Sequence, residues 1–193
     1  MTTFPDRVRL AMRFDANALA RDAAALADWE AHFNQSTYEG DWSGVALRTN
    51  GGRASLVVDP LAARPFADTP ALARCPAVRA ALEQFRCDLH GVRFLRLGVG
   101  ARILEHRDYG LGLDESGEAR LHIAVATEPG VEFLLGEKPV VMEAGECWYL
   151  DVNRHHEVYN GGRRPRIHLV VDAVANDWLR DRLHEAVGAG RGA

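Results

Sequence analysis

Hydrophobic and polar positions change rhythm along the chain. Leu19, Ala23, Leu26, Trp29 and Phe33 recur at spacings of three and four, the stripe of an amphipathic helix. Asp15 or Asn17 stands ready to cap it. Val45-Ala46-Leu47 and Leu56-Val57-Val58 flank Asn50-Gly51-Gly52, which predicts a hairpin. Thr69-Pro70 and Cys75-Pro76 each put proline where a helix starts, and Val78, Leu82 and Phe85 form that helix's apolar stripe. From Val92 onward the apolar runs shorten and are bounded by Gly, Pro, Asn and Asp. They predict strands near 92–97, 102–106, 119–126, 131–135, 139–142, 146–151, 156–160 and 166–172. Asp177 to Val187 reads as a short helix, with Gly188 to Ala193 as a frayed end.

These elements predict a single domain, mainly β with flanking helices. Its helical part covers about 1–90, its β core about 91–173 and its C-terminal helix about 175–187. Many short strands at close spacing favour a sandwich or barrel over a parallel sheet.

Composition narrows the function classes. A chain of 193 residues, 47% hydrophobic and 26% charged, can bury a core without disulfides or a structural metal. Lys plus Arg is 23 and Asp plus Glu 27, a formal charge of -4, which argues against a nucleic-acid partner. No apolar run reaches the ~18 residues of a membrane helix. Asp6, Arg7, Arg9, Arg13 and Asp15 interrupt any signal-peptide core. Cys75, Cys87 and Cys147 form no C-x-x-C pair and read as small hydrophobes, so a reducing cytoplasm is expected.

Two strands break the rule of apolar inside and polar outside. Arg120, His122 and Ala124 share one face against Leu121, Ile123 and Val125; Arg166, His168 and Val170 share one against Ile167, Leu169 and Val171. Either these polar faces meet water or they line a polar cavity inside the barrel. One strand alone does not separate the two, but other segments offer partners. His106-Arg107-Asp108 ends a predicted strand just before Tyr109-Gly110-Leu111-Gly112, and His155-His156 lies fifty residues further on. Two histidines and a carboxylate match the ligand set of non-haem Fe(II) oxygenases. The long spacing suits ligands on separate strands of a jelly roll. The same H-R-D letters occur in protein kinases, but the asparagine needed five residues later is Leu113 here.

The ordered set His106-x-Asp108, Arg120-Leu121-His122, His156-Glu157-Val158-Tyr159-Asn160 and Arg166-x-x-Leu169-Val170-Val171-Asp172 resembles the aspartyl/asparaginyl β-hydroxylase family of Fe(II)/2-oxoglutarate dioxygenases. The resemblance covers about Arg93 to Asp172. It implies a double-stranded β-helix, a cupin-like jelly roll, with Fe(II) as cofactor and 2-oxoglutarate and O2 as cosubstrates. Carried over, His106, Asp108 and His156 would bind the metal. Arg166, ten residues after His156 as in the family, would grip the distal carboxylate of 2-oxoglutarate; a planar guanidinium suits that task. Arg120 and His122 would contact the cosubstrate or a substrate carboxylate. Neighbours on a strand point oppositely, so His155 falls to the surface or behind the ligands.

Asp108 distinguishes the chain from the animal peptide hydroxylases of this family, which lack the carboxylate ligand. In this it is similar to bacterial members acting on free amino acids such as proline. A serine that some members carry upstream of the first histidine is not evident in Phe94-Leu95-Arg96-Leu97. Arg96 and Arg102 remain as candidates for a substrate anion. His168 shares the Arg166 face but matches no ligand position. The expected activity is hydroxylation of an unactivated C–H in a small molecule, an amino acid or close derivative. The alternatives are hydroxylation of Asp or Asn in peptides or proteins, and a cupin-like protein that binds metal or anion without turnover.

Overall fold

Strict alternation builds the first element. Val8, Leu10 and Met12 alternate with Arg7, Arg9, Ala11 and Arg13. In the computed structural model, which describes residues 4–56, 64–113 and 117–190, this stretch is strand β1 (Arg7–Arg13). Helix α1 (Ala16–Ala24) follows, capped by the Asp15 carboxylate, which accepts from Ala18 N at 3.0 Å. The short β2 (Glu30–Ala31) and β3 (Tyr38–Glu39) precede β4 (Trp42–Asn50), and β5 (Phe66–Asp68) folds back on β4. Helix α2 (Pro76–Leu82) starts on its proline. The buried Asp22 of α1 accepts from Val78 N at 2.9 Å, which satisfies a donor that Cys75 leaves uncapped.

Then come β6 (Leu89–Leu97), β7 (Arg102–His106), β8 (Glu118–Ala126), β9 (Val131–Leu135), β10 (Lys138–Pro139), β11 (Glu146–Leu150), β12 (His156–Asn160), β13 (Arg166–Val174) and α3 (Asp177–Gly190). The strand pattern read from Val92 onward holds within a few residues.

The first ninety residues are not the helical part expected. The helix stops at Ala24. Trp29 lies beyond it, partly buried, its indole donating to Leu26 O at 3.1 Å, and Phe33 is 58% exposed. Residues that pack separately fell by coincidence on a helical spacing. The hairpin also closes differently: Asn50 pairs with Phe66, not with the 56–58 run. Leu56 is buried outside any strand, while Val57 and Val58 lie outside the described residues. At the other end α3 runs on to Gly190, beyond the point where fraying was expected, and residues 191–193 are also outside the described set.

The larger sheet runs β1-β11-β8-β13-β6-β4-β2, with β5 on β4; the smaller runs β10-β9-β12-β7-β3. Their ladders are antiparallel. One face of the larger sheet (Leu121, Ile123, Leu169, Val171, Phe94) packs with Leu19, Ala23, Val78 and Leu179 from the helices. A second cluster, including Leu97, Ile103, Phe133, Leu135 and Val158, joins the two sheets. Among the described residues no helix is long and apolar enough to cross a membrane.

Candidate active site

The period of two decides what faces the space between the sheets. On β13 the apolar core face takes Leu169, Val171 and Ala173, so Arg166, His168, Val170 and Asp172 turn the other way. In register beside them, β8 places His122 opposite Val170 and Arg120 opposite Asp172. The polar faces do not meet open water. Arg166 is 3% exposed, His168 1%, His122 7% and Asp172 6%. Arg120, His122, Arg166 and Asp172 line a cavity of about 660 Å³ that also holds His106, Asp108 and His156.

The smaller sheet supplies the ligand cluster. His106 ends β7, His156 begins β12, and the two are direct cross-strand partners. Asp108 sits two residues past the end of β7, its amide donating to Val152 O at 2.9 Å. Ligand-type atoms of His106, Asp108 and His156 all lie within 4.8 Å of one another. His106 Nδ1 is 2.7 Å from Leu104 O, and His156 Nδ1 is 3.0 Å from Arg154 O. A carbonyl only accepts, so each Nδ1 carries a proton and Nε2 is the nitrogen turned to the cluster. Burial lowers the His156 pKa, only partly opposed by the bond to Arg154 O, which favours the neutral imidazole that a metal needs. Two imidazoles and one carboxylate, fixed on the sheet and the segment after β7, fit a divalent metal of the Fe(II) type. His155 points out, 58% exposed and 3.0 Å from Glu105.

Across the cavity Arg166 is a buried guanidinium without a carboxylate partner among the described residues. Its Nη2 donates to His168 Nδ1 at 3.0 Å, while Nε is buried with no partner among the described residues. Burial pushes its pKa down to about 9, so it remains charged at neutral pH. Phe133 lies under it, 5.7 Å from guanidinium carbon to ring centroid, and stacks on His156 at 6.2 Å. Burial first, then the positive charge of Arg166, holds His168 neutral. The pKa of His122 is likewise pushed well below its ordinary value by burial, Arg166 and Arg120, and both its ring nitrogens lack partners among the described residues.

Arg120 is already engaged. Its Nε and Nη2 grip Asp172 Oδ1 and Oδ2 at 2.7 and 3.0 Å, and its Nη1 donates to Asp108 Oδ2. Arg93 on β6 adds a bond from Nη1 to Asp172 Oδ2 at 3.0 Å. Burial opposes the Asp172 charge, but Arg120 and Arg93 hold its carboxyl well below the usual range. Gly91 makes room for this group: a Cβ there would lie 2.8 Å from Arg93 Nη1 and 3.0 Å from Asp172 Oδ2.

The structure thus brings together His106, Asp108, His156, Arg120, His122 and Arg166, but not Arg96 and Arg102. Arg96 bonds Ser43 Oγ at 3.1 Å and covers Trp29, lining a different cavity. Arg102 is exposed over Tyr159. Neither lines the cavity of the histidine cluster. Sequence reasoning missed Arg93 and Phe133 and gave Asp172 no role. Inward parity on β6 and β9 was the available signal.

Two antiparallel sheets facing each other around a His-Asp-His cluster define a double-stranded β-helix of the cupin and 2-oxoglutarate oxygenase kind. Two solved structures share this fold. A prolyl-4-hydroxylase of Pseudomonas putida aligns with TM-score 0.54 and 16% identity over 89% of this chain and 93% of that one. A 2OG-Fe(II) oxygenase family oxidoreductase of Burkholderia pseudomallei aligns with TM-score 0.55 and 20% identity over 89% and 86%. Residues 9–176 match the aspartyl/asparaginyl β-hydroxylase family, and the chain belongs to it. It is 31% identical over 169 residues to L-proline cis-4-hydroxylase of Rhizobium meliloti (strain 1021). That alignment takes in 85% of this chain and 59% of the relative, so the chain spans under two thirds of the relative's length.

Proposed function

We infer that this protein is an Fe(II)/2-oxoglutarate-dependent hydroxylase acting on a free amino acid or close derivative. The observation that carries the reading is Arg166, a buried cation with no carboxylate partner among the described residues, lining the cavity that holds the His106-Asp108-His156 cluster. A buried charge is costly unless paired, and an incoming carboxylate supplies the pair.

In this reading His106, Asp108 and His156 hold the iron, which supplies O2 activation and oxidative decarboxylation of 2-oxoglutarate to succinate and CO2. Arg166 binds the distal carboxylate of 2-oxoglutarate, with His168 fixing the plane of its fork. Phe133 gives that end of the cavity an apolar wall and keeps water from it. His122, held neutral, has one ring N–H to donate to a ligand oxygen. The cavity has the size of a small-molecule site. Trp42 Nε1 and His32 Nδ1 are buried without partners among the described residues, their rings stacked at 3.5 Å on the same cavity. They can meet polar groups of a substrate. The L-proline hydroxylating relative supports an amino acid. The free Cys75, Cys87 and Cys147 fit a reducing cytoplasm, where Fe(II) persists.

Succinate release from 2-oxoglutarate with Fe(II) and ascorbate is the test, run against free amino acids and short peptides with product mass spectrometry. A free amino acid that raises succinate output and gains one oxygen supports the reading. Oxygen gained only by peptides or proteins would move the substrate to the family's other class. Metal binding with no 2-oxoglutarate turnover would leave a cupin-like binding protein.

A further inference from the structure

The two histidines of the ligand cluster are each fixed by a backbone carbonyl two residues earlier in the chain. The Asp108 side chain has no such support; it lies in the irregular segment after β7 rather than in a strand. A carboxylate there is free to rotate and to offer either oxygen. What restrains it comes from the opposite sheet. Arg120 uses two nitrogens on Asp172, and that grip fixes the plane of its guanidinium; the third nitrogen then donates to Asp108 Oδ2. The other oxygen, Oδ1, is left towards His106 Nε2, 3.6 Å away.

The anchor is rigid. Arg120 and Asp172 are direct partners on the adjacent strands β8 and β13. Arg93, from the next strand, holds Asp172 from a second side. The four charges of Arg93, Asp172, Arg120 and Asp108 sum to zero. Arg120 is therefore committed within this network, in contrast to Arg166.

We propose that Asp172 is a positioning residue for the metal centre: through Arg120 it orients Asp108 so that a single carboxylate oxygen faces the metal. The inference rests on the metal reading given above. It makes Arg120 the link between Asp172 and the carboxylate of the ligand cluster. Outer partners of this kind typically change metal affinity about 10- to 100-fold when removed.

The test titrates metal-free protein with Co(II) or Mn(II), following visible absorption or electron paramagnetic resonance, with no turnover required. Asp172→Asn and Arg120→Lys should each weaken binding about tenfold or more. Each should also shift the Co(II) absorption bands, as a released carboxylate changes the coordination. Because the two residues act in series, the double variant should bind no more weakly than the weaker single. Additive losses would overturn the proposal, as would wild-type affinity and bands in both singles. Should Asp172→Asn fail to fold, Arg120→Lys decides alone: it keeps the charge but lacks the third nitrogen, so undiminished affinity overturns the relay. His106→Ala separates the two levels. If it binds metal as wild type does, the metal centre and the relay fall together. If it loses binding while Arg120→Lys does not, only the relay falls.

Discussion

Arg166 and His168, two residues apart on one strand face, meet at 3.0 Å with the guanidinium donating to a neutral imidazole. The contact fixes the fork without neutralising it. Arg166→Lys keeps the charge and loses the paired geometry. The apparent KM for 2-oxoglutarate should rise about tenfold or more, ~1.4 kcal/mol or above, while Co(II) binding to the protein alone is retained. An unchanged KM would remove Arg166 from the cosubstrate site.

His155 and His156 are adjacent in sequence and opposite in orientation, one 58% exposed on the side chain and the other buried. His156→Ala should abolish metal-dependent turnover and sharply weaken metal binding. His155→Ala removes only a surface contact to Glu105, worth about 0–1 kcal/mol, and should leave both near wild type. The reverse result would shift the register of β12 by one residue.

Gly91→Ala should be costly although alanine is ordinarily the better residue in a strand. The new methyl meets Arg93 Nη1 and Asp172 Oδ2, at 2.8 and 3.0 Å from the Cβ position, and both atoms are pinned to each other. Denaturant unfolding should show a loss of about 1–3 kcal/mol. Equal or greater stability would show that the pair moves aside freely.

Stability should fall on acidification below about pH 6.5, the ordinary histidine pKa. Burial holds His122 and His168 well below that value in the folded protein. Their contribution is therefore fully present above pH 6.5. It is lost as the pH falls towards the folded-state values, because the unfolded chain takes up protons that the folded one refuses. Each can contribute a slope of up to about 1.4 kcal/mol per pH unit. Unfolding free energies of metal-free protein at pH 7 and 5.5, compared with His168→Asn, check this. An identical pH slope in the variant would mean that His168 takes up its proton without cost.

The β core could be read closely because Gly, Pro, Asn and Asp punctuate every strand from β6 onward. The N-terminal third was harder. The alternation of Val8, Leu10 and Met12 was a strand signal passed over. In β4, from Trp42 to Leu47, every residue is buried, so no alternation exists to reveal a central strand. The His106-Asp108-His156 cluster was legible as ordered motifs. The Arg93–Asp172 contact was not, because it joins residues 79 apart on neighbouring strands and only the sheet order brings them together. Arg96 and Arg102 failed as cavity residues for a related reason. Their charge was visible in sequence, but the face each strand turns to the cavity depends on the pairing.

Strand β13 is written in two alternating alphabets. Leu169, Val171 and Ala173 belong to the folding core, while Arg166, His168 and Asp172 are buried polar groups on the opposite face. Substitution on one parity should cost chiefly the packing of the sheet; on the other it should change chiefly what the cavity can bind. A descendant of this chain could therefore lose or exchange its activity at alternate positions while the packed side of the sheet stays intact. The architecture can outlive any one chemistry it carries.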